Sequence, residues 1–459
     1  MSRGRRISPE TRAHAPGTTL RLVTLLSATF AGAYYSNVTL VPLDAMLEHF
    51  RTSVGLGSLV LGGFAVSLAA ATPLVSRLGE GIGWTRALYS GVAVVALGCI
   101  GAALAPSFGW LVLVRVLQGV AAAVIVPGVM ILLSTSFSEH ERPVALGMWS
   151  SANALGRVVA VPMGGVLASF AGWSSVFWSA AAVCGVAAVV VAAFVPSRAP
   201  RRATIDWPSA AFLTAGSALA LGGLTAVATG RTERLVGLPL LTGGAMLLVL
   251  AWRRSKGTPD PLIPVGVLRS PTLLRSSLGG FVQMATIMVD IAGVSLHLSS
   301  QRGVSSATAG LVALTFPAVM VVVSGLAGIA MRRAGGRVVF WWGLAILSAG
   351  QAALAASTSA GSGVNASLVV ALAVAGAGAA LVQTASAGGA TRPSHAHGSA
   401  TIGIFNLVRF SGTAAGAAFL AIVLSSGGSY SLLFAICAAG VALTLAFTAT
   451  LGRRQYSSA

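Results

Sequence analysis

The sequence predicts an all-α polytopic membrane protein with fourteen transmembrane helices, and three observations predict it. About fourteen apolar stretches run near twenty residues each, the length at which a helix crosses a bilayer core. Of 459 residues, 55% are hydrophobic and 8% are charged, whereas a soluble domain carries about a quarter charged residues. The charges are also segregated. With the N-terminus inside, the outer loops hold only Arg51, Arg231, Arg234 and Arg302, and the spans hold Arg115, Arg157 and Arg409. Every other Lys or Arg of the 29 falls on the inner side, a strong positive-inside bias. In a soluble protein a net charge of +19 would suggest nucleic acid. Here the charge follows membrane topology, with no nucleic-acid partner and the lipid bilayer as surroundings.

The expected spans, taken in order, lie between turns rich in Arg, Gly or Pro. The first is residues 20–42, which we read as an uncleaved helix: its apolar run is too long for a signal peptide and more spans follow. The second to sixth are 57–77, 87–105, 110–134, 144–170 and 173–195. The seventh and eighth, 207–229 and 236–252, stand between the basic linkers Arg198–Arg202 and Arg253–Arg275. The ninth to fourteenth are 274–299, 309–331, 338–357, 367–387, 399–424 and 430–451. The basic Arg453-Arg454 requires an even number of crossings if it is to lie inside. Cys99, Cys184 and Cys437 sit in apolar spans as small hydrophobes, and no metal-ligand spacing links them to the six histidines.

Two echoes divide the chain. The turn Ser76–Arg86, with Glu80, Gly83 and Arg86, matches Gly328–Arg337, with Arg333, Gly335 and Arg337. Gly147-Met-Trp through Gly156 in the fifth helix aligns with Gly403-Ile-Phe through Gly412 in the thirteenth. They imply a duplicated six-helix unit: a tail 1–19, a bundle 20–197, an insert 198–272 with the seventh and eighth helices, a bundle 273–452 and a tail 453–459. Repeats around a midplane cavity are common in secondary transporters.

The motifs resemble a known family. Arg115-Val-Leu-Gln118-Gly119 is similar to the Arg-x-x-Gln-Gly motif in helix four of the major facilitator superfamily. Both turns resemble its helix-two/three motif. Gly172-Trp173, Pro261-Leu262 with Leu268-Arg269, Gln301-Arg-Gly303 and Asn406-Leu-Val-Arg409 are similar to residues of its fourteen-helix drug:proton antiporter branch, the multidrug and antibiotic efflux transporters. The resemblance implies the major facilitator fold, two six-helix bundles plus two inserted helices, working as a monomer that exchanges a small-molecule substrate for protons. Departures bear on the coupling. Glu80-Gly81 stands where the family usually has Asp-Arg. Gly32, five residues before Asn37, stands where the branch often has an acid. Ala160-Val161-Pro162-Met163-Gly164-Gly165 keeps only the glycines of the helix-five antiporter motif.

Charge at bilayer depth costs roughly 2.5–3.5 kcal/mol, so each buried ion needs a reason. Asp290 is the only acid inside a span and shares a helical face with Gln283, Thr286 and His297. A carboxyl in a partly dry cavity can load and release a proton, so Asp290 is the candidate carrier; neutralising a nearby Arg is the alternative. Arg115 with Gln118, Asn153 with Arg157, Asn406 with Arg409, and Tyr34, Asn37 and Gln283 are candidates for the substrate cavity. Glu80, Gly83, Arg86, Arg333, Gly335 and Arg337 are gating-loop candidates, and Gly147, Gly156, Gly164, Gly165, Gly403 and Gly412 allow close helix packing. Three buried arginines against one acid suggest a neutral or anionic substrate.

The expected function is proton-driven export of a small amphipathic compound such as an antibiotic. Symport of a metabolite anion, and a non-transporting sensor or scaffold, stay open. The loops offer no nucleophile–base pair, so no enzyme is expected, and no metal or cofactor. The single lysine, Lys256, lacks Walker A glycines before it, which excludes ATP drive within the chain. The preference for Arg over Lys fits a GC-rich bacterial genome and a cytoplasmic membrane with both termini inside.

Overall fold

A backbone in hydrocarbon must satisfy its own N–H and C=O groups, and a helix does this within one segment. Helices are what the computed structural model contains; it describes residues 16–39, 41–52, 54–197, 206–229, 231–258, 266, 270–359, 364–392 and 398–453. Thirteen helices among the described residues are long and apolar enough to cross a membrane. A fourteenth, α1 (Pro16–Val38), is less apolar but has 23 residues, enough to span. The others are α2 (Val54–Ile82), α3 (Trp84–Ala103), α4 (Phe108–Ser136), α5 (Arg142–Ala171), α6 (Trp173–Phe194), α7 (Trp207–Thr229) and α8 (Arg231–Ser255). Then come α9 (Pro271–Leu296), α10 (Ser306–Ala313 with Thr315–Ala334), α11 (Gly336–Ser359), α12 (Ala366–Ala390), α13 (Gly398–Ser425) and α14 (Tyr430–Arg453).

Several details depart from the expected spans. A short helix, Leu43–His49, follows α1. The α4 helix breaks at Ala123–Val124, and α10 breaks at Leu314. Each break lies one turn before a proline, Pro127 or Pro317, whose missing N–H leaves the carbonyl four residues back without a helical partner. α9 ends in a π-turn, His297–Gln301. The supposed loop Ser76–Arg86 is not a loop: α2 runs on to Ile82, and Gly83 alone makes the corner, at φ 91°. Arg3, Arg5, Arg6 and Arg12, the linker Arg198–Arg202, Pro261-Leu262 with Leu268-Arg269, and Arg454 lie outside the described residues.

Among the described residues two main cores form, one among α1–α6 around Leu88, Val129, Trp149 and Val176, the other among α9–α14 around Phe316, Leu347, Leu372 and Phe434. Phe170, Val189, Leu235 and Leu443 are exposed on the outside, as a lipid-facing surface requires. α7 packs along α8, and α7 rests on α2 and α13. An ion pair closes this hairpin, Arg254 Nε to Asp206 Oδ2 at 3.1 Å.

The sequence echoes reappear as repeated geometry. Gly83 and Gly335 both turn a corner at positive φ, 91° and 85°, a conformation glycine adopts without penalty. Gly156 lets α5 lie on α1: a Cβ there would sit 2.7 Å from the Phe30 carbonyl oxygen. Gly412, its counterpart, brings α13 against the Phe281 carbonyl of α9 in the same way. Gly164 packs on Val38, but Gly165 packs on nothing. It points out of the bundle with open space around it, one residue and so about 100° further round the helix.

Candidate functional site

Where the two halves meet, two seams form at the end of the bundle that carries Arg142, Arg333, Arg337 and Arg392, the basic end. Gly147 of α5 lies against Gly328 and the Ser324 carbonyl of α10. Gly403 of α13 lies against Pro73 and Ser76 of α2. The seams are counterparts: Gly147 echoes Gly403, and Ser76 and Gly328 each stand seven residues before the corner glycine, Gly83 or Gly335. Only small residues let backbones approach this closely.

Beside the seams runs a chain of buried hydrogen bonds. Gln383 of α12 is its hub. Its Oε1 accepts from Arg409 Nη2 at 3.3 Å and from Gln283 Nε2 at 3.1 Å. Its Nε2 donates to Ser150 Oγ at 2.7 Å, and Ser150 Oγ to Ser324 Oγ at 2.8 Å. Arg409 also donates to Asn406 Oδ1 at 3.5 Å, while Asn406 Nδ2 donates to the Ile402 carbonyl at 2.9 Å. The network joins α5 of one half to α9, α10, α12 and α13 of the other. Breaking it in place would leave buried groups unpaired, at about 1–3 kcal/mol each.

A chamber of ≈ 80 Å³ lies between the halves. Asn153, Arg157 and Trp149 of α5 line it, with Arg409 and Phe410 of α13, Gly32 of α1, and α4 on both sides of its break. The Arg409 guanidinium lies 5.5 Å from the centre of the Trp149 ring and 5.4 Å from that of Phe410. Ligand pockets hold about 300–1,000 Å³, so this chamber takes water but no drug-sized molecule. Among the described residues, its two charged lining residues are both arginines.

Other predicted cavity residues lie elsewhere. Arg115 is fully buried among α1, α2 and α4. It donates to the Val60 carbonyl at 3.3 Å and to Gln118 Oε1 at 3.3 Å, and packs 4.4 Å from the centre of the Phe64 ring. Gln118 donates to the Val95 carbonyl and Cys99 Sγ of α3. Neither lines the chamber; both tie helices of the first half together. Tyr34 points away too, its hydroxyl 3.0 Å from Ser179 Oγ of α6. Asn37 turns back onto its own helix, donating to the Ala33 carbonyl at 2.7 Å.

Asp290 is fully buried inside the second half, apart from the chamber. Gln351 Nε2 of α11 donates to both its carboxylate oxygens, at 2.8 and 2.7 Å. No arginine is paired with it among the described contacts. The polar stripe on α9 therefore divides: Gln283 faces Gln383, Asp290 faces Gln351, and His297 meets Gln301 and Tyr430 near the far end.

The gating candidates also separate. Glu80 is helical and pairs with Arg77 of its own helix at 2.7 Å, so the contact across the halves here comes from Ser76 instead. Arg86 and Arg333 are exposed, whereas Gly335 and Arg337 line a second, larger cavity at the basic end. Gln351, Gln383, Ser150 and Ser324 were missed by sequence reasoning. Gln351 and Gln383 carried a signal, lone amides in otherwise apolar spans.

Residues 23–293, more than half of the chain, match the Major Facilitator Superfamily. The chain belongs to that superfamily. Its members are transporters rather than enzymes, and this chain is a multi-pass membrane protein of that superfamily. It is similar to the methyl viologen resistance protein SmvA of Salmonella typhimurium, 29% identical over 307 residues covering 64% of this chain and 58% of that protein. It is also similar to the tetracenomycin C resistance and export protein of Streptomyces glaucescens, 25% identical over 341 residues covering 71% and 62%. The chain thus spans less than two thirds of either relative's length. The structure of the human organic anion transporter MFSD10 (TETRAN) matches 95% of this chain and all of its own at a TM-score of 0.67, with 16% identity, so the fold is shared. Within that superfamily fold, the Gln383 network and the two glycine seams occupy the surface that must open for anything to pass between the halves.

Proposed function

We propose that this transporter exports a small amphipathic compound, neutral or anionic, across the bacterial cytoplasmic membrane in exchange for protons, with the basic end and both termini in the cytoplasm and the monomer as the working unit. One observation carries the substrate charge. Arg157 and Arg409 line the central chamber, and Gly32 occupies the wall position where the resembling branch often has an acid. A cationic substrate would meet two guanidinium groups and no carboxylate among the described lining residues. An anionic one would gain charge-assisted hydrogen bonds. The outward direction rests on the relatives, whose names speak of resistance and export.

The small chamber means that binding requires the halves to part. Parting at the basic end opens both glycine seams and breaks the bond between Gln383 and Ser150. A substrate anion entering there accepts from the Gln383 Nε2 that has lost Ser150, beside the Arg409 guanidinium. The coupling role falls to Asp290. Its only described partner is a neutral amide, so taking up a proton removes a buried charge and releasing it restores one. Gln351 holds the carboxyl in either state.

The test is proton flux into proteoliposomes under an imposed gradient, as anionic, neutral and cationic drugs are added in turn. Substrate-dependent flux with anionic or neutral compounds, lost in Asp290→Asn, is the expected result. Full coupled transport in Asp290→Asn would remove the carrier assignment. Transport of organic cations alone would overturn the substrate class.

A further inference from the structure

A second cavity, larger than the central chamber, plays no part in the exchange described above. It opens at the basic end, beside the seam between α5 and α10, and encloses ≈ 530 Å³. Among the described residues, Arg142, Arg275, Arg337 and Arg392 line it, against a single acid, Glu139. The positive-inside rule explains why arginines lie at this end of the bundle. It does not explain why four of them converge on one hollow, since like charges repel.

Arg275 makes the hollow a built site. It sits at the start of the second turn of α9 with 5% of its surface exposed. Its Nη2 donates to Thr272 Oγ1 at 3.4 Å, but its Nη1 is buried with no hydrogen-bond partner. Arg142 Nε is buried and unpartnered too. A buried guanidinium N–H without an acceptor is costly, and an anion in the cavity would supply one. The backbone adds to the field. Helices α5, α9 and α11 all begin at this cavity, at Arg142, Pro271 and Gly336, and each presents the positive end of its dipole. Leu146, Met331 and Phe340 form an apolar wall beside the arginines.

We propose that this cavity binds a phosphate group: the headgroup phosphate of an anionic phospholipid from the cytoplasmic leaflet, or a soluble phosphate. Phosphate offers several acceptor oxygens, and arginine forks match that geometry in pairs. Basic pockets between transmembrane helices at the cytoplasmic face suit such headgroups. Because the hollow touches α5 on one side and α9, α11 and α12 on the other, its occupant bridges the two halves at the end where they must part. Occupation therefore favours the arrangement closed at the basic end.

The full-length protein in detergent tests this with two probes. Phosphatidylglycerol against phosphatidylcholine is scored by retained adducts in native mass spectrometry. Sodium pyrophosphate against sodium chloride at matched ionic strength is scored by the thermal unfolding temperature. Phosphatidylglycerol retained without a response to pyrophosphate identifies a lipid headgroup; the reverse identifies a soluble phosphate. In either case R275Q and R392Q each weaken binding about fivefold, the effect of removing one arginine near a phosphate. Arg392 is exposed, so R392Q folds as the parent does and keeps the test decisive if R275Q does not fold. The proposal is overturned if neither probe exceeds its control, or if the bound probe is indifferent to R392Q.

Discussion

Adding one methyl group at Gly147 tests whether the seam between the halves parts during transport. A Cβ at Gly147 would lie 2.6 Å from the Ser324 carbonyl oxygen and 3.0 Å from Gly328 Cα. Both obstacles are backbone of the other half, so neither can rotate away. Overpacking of this kind costs about 1–3 kcal/mol. The clash exists only while the basic end is closed, so that arrangement alone bears the cost. The equilibrium then shifts toward opening by roughly 5- to 150-fold. Gly156→Ala supplies the comparison. Its Cβ would meet the Phe30 carbonyl at 2.7 Å, but Phe30 belongs to the same half. It should lower thermal stability without moving the halves. The assay is double electron–electron resonance between spin labels at His140 and Arg333, exposed positions on opposite halves at the basic end. Gly147→Ala should populate longer distances and Gly156→Ala should not. An unchanged distance distribution in Gly147→Ala, with stability lost as in Gly156→Ala, would show that the seam is static packing and refute the reasoning.

Three further outcomes follow from particular contacts. Gln383→Leu removes the acceptor of Arg409 and Gln283 and the donor to Ser150, and should lower the stability of the detergent-solubilised protein by about 1–3 kcal/mol for each group left unpaired; stability equal to the parent's would mean that water replaces the hub. Asp206 is held below the usual carboxylate range, first by the hydrogen bond from the Ser209 hydroxyl and then by Arg254, so its contribution is present above its unfolded value of about 3.9 and is lost as pH falls through the lower folded value. Thermal unfolding of Asp206→Asn and the parent should therefore differ at neutral pH and converge in acid; a gap that persists below that range would assign the effect to something other than the charge. Gly165→Ala should raise stability by about 0.5–1 kcal/mol, because the site is open and helical, whereas Gly164→Ala, facing the Val38 carbonyl at 3.0 Å, should lower it; equal effects would contradict the assigned faces of α5.

The legibility of the site follows from how local each signal is. The asymmetry of Arg and the lengths of the apolar runs set the spans, since insertion into a bilayer depends on each segment's own composition. The glycine echoes were also visible, and Gly156 and Gly412 pack as matched residues because duplication preserves the close approach. Arg157, Asn153 and Arg409 were named from the sequence and do line the chamber. Arg115 and Gln118 were named on equal grounds and do not. All five are polar residues in apolar helices, and nothing in a single helix says which neighbour its polar face will meet. Glu80 shows the same limit in one turn: its charge was evident, but continuation of α2 to Ile82 turned it toward Arg77.

The sequence by itself determined that this chain lives in a membrane, that it carries a long series of apolar helices, which end is basic, and that its two halves echo each other. Those properties are sums over residues or repeats along the chain, and they survive without knowledge of any contact. Only the tertiary structure decided that Gln383 is the hub joining the halves, that Asp290 is held by Gln351 rather than by an arginine, and that Arg142, Arg275, Arg337 and Arg392 share one hollow. Each of these depends on the rotation of one helix about its axis relative to another. At about 100° per residue, that rotation is fixed by packing between helices distant in sequence.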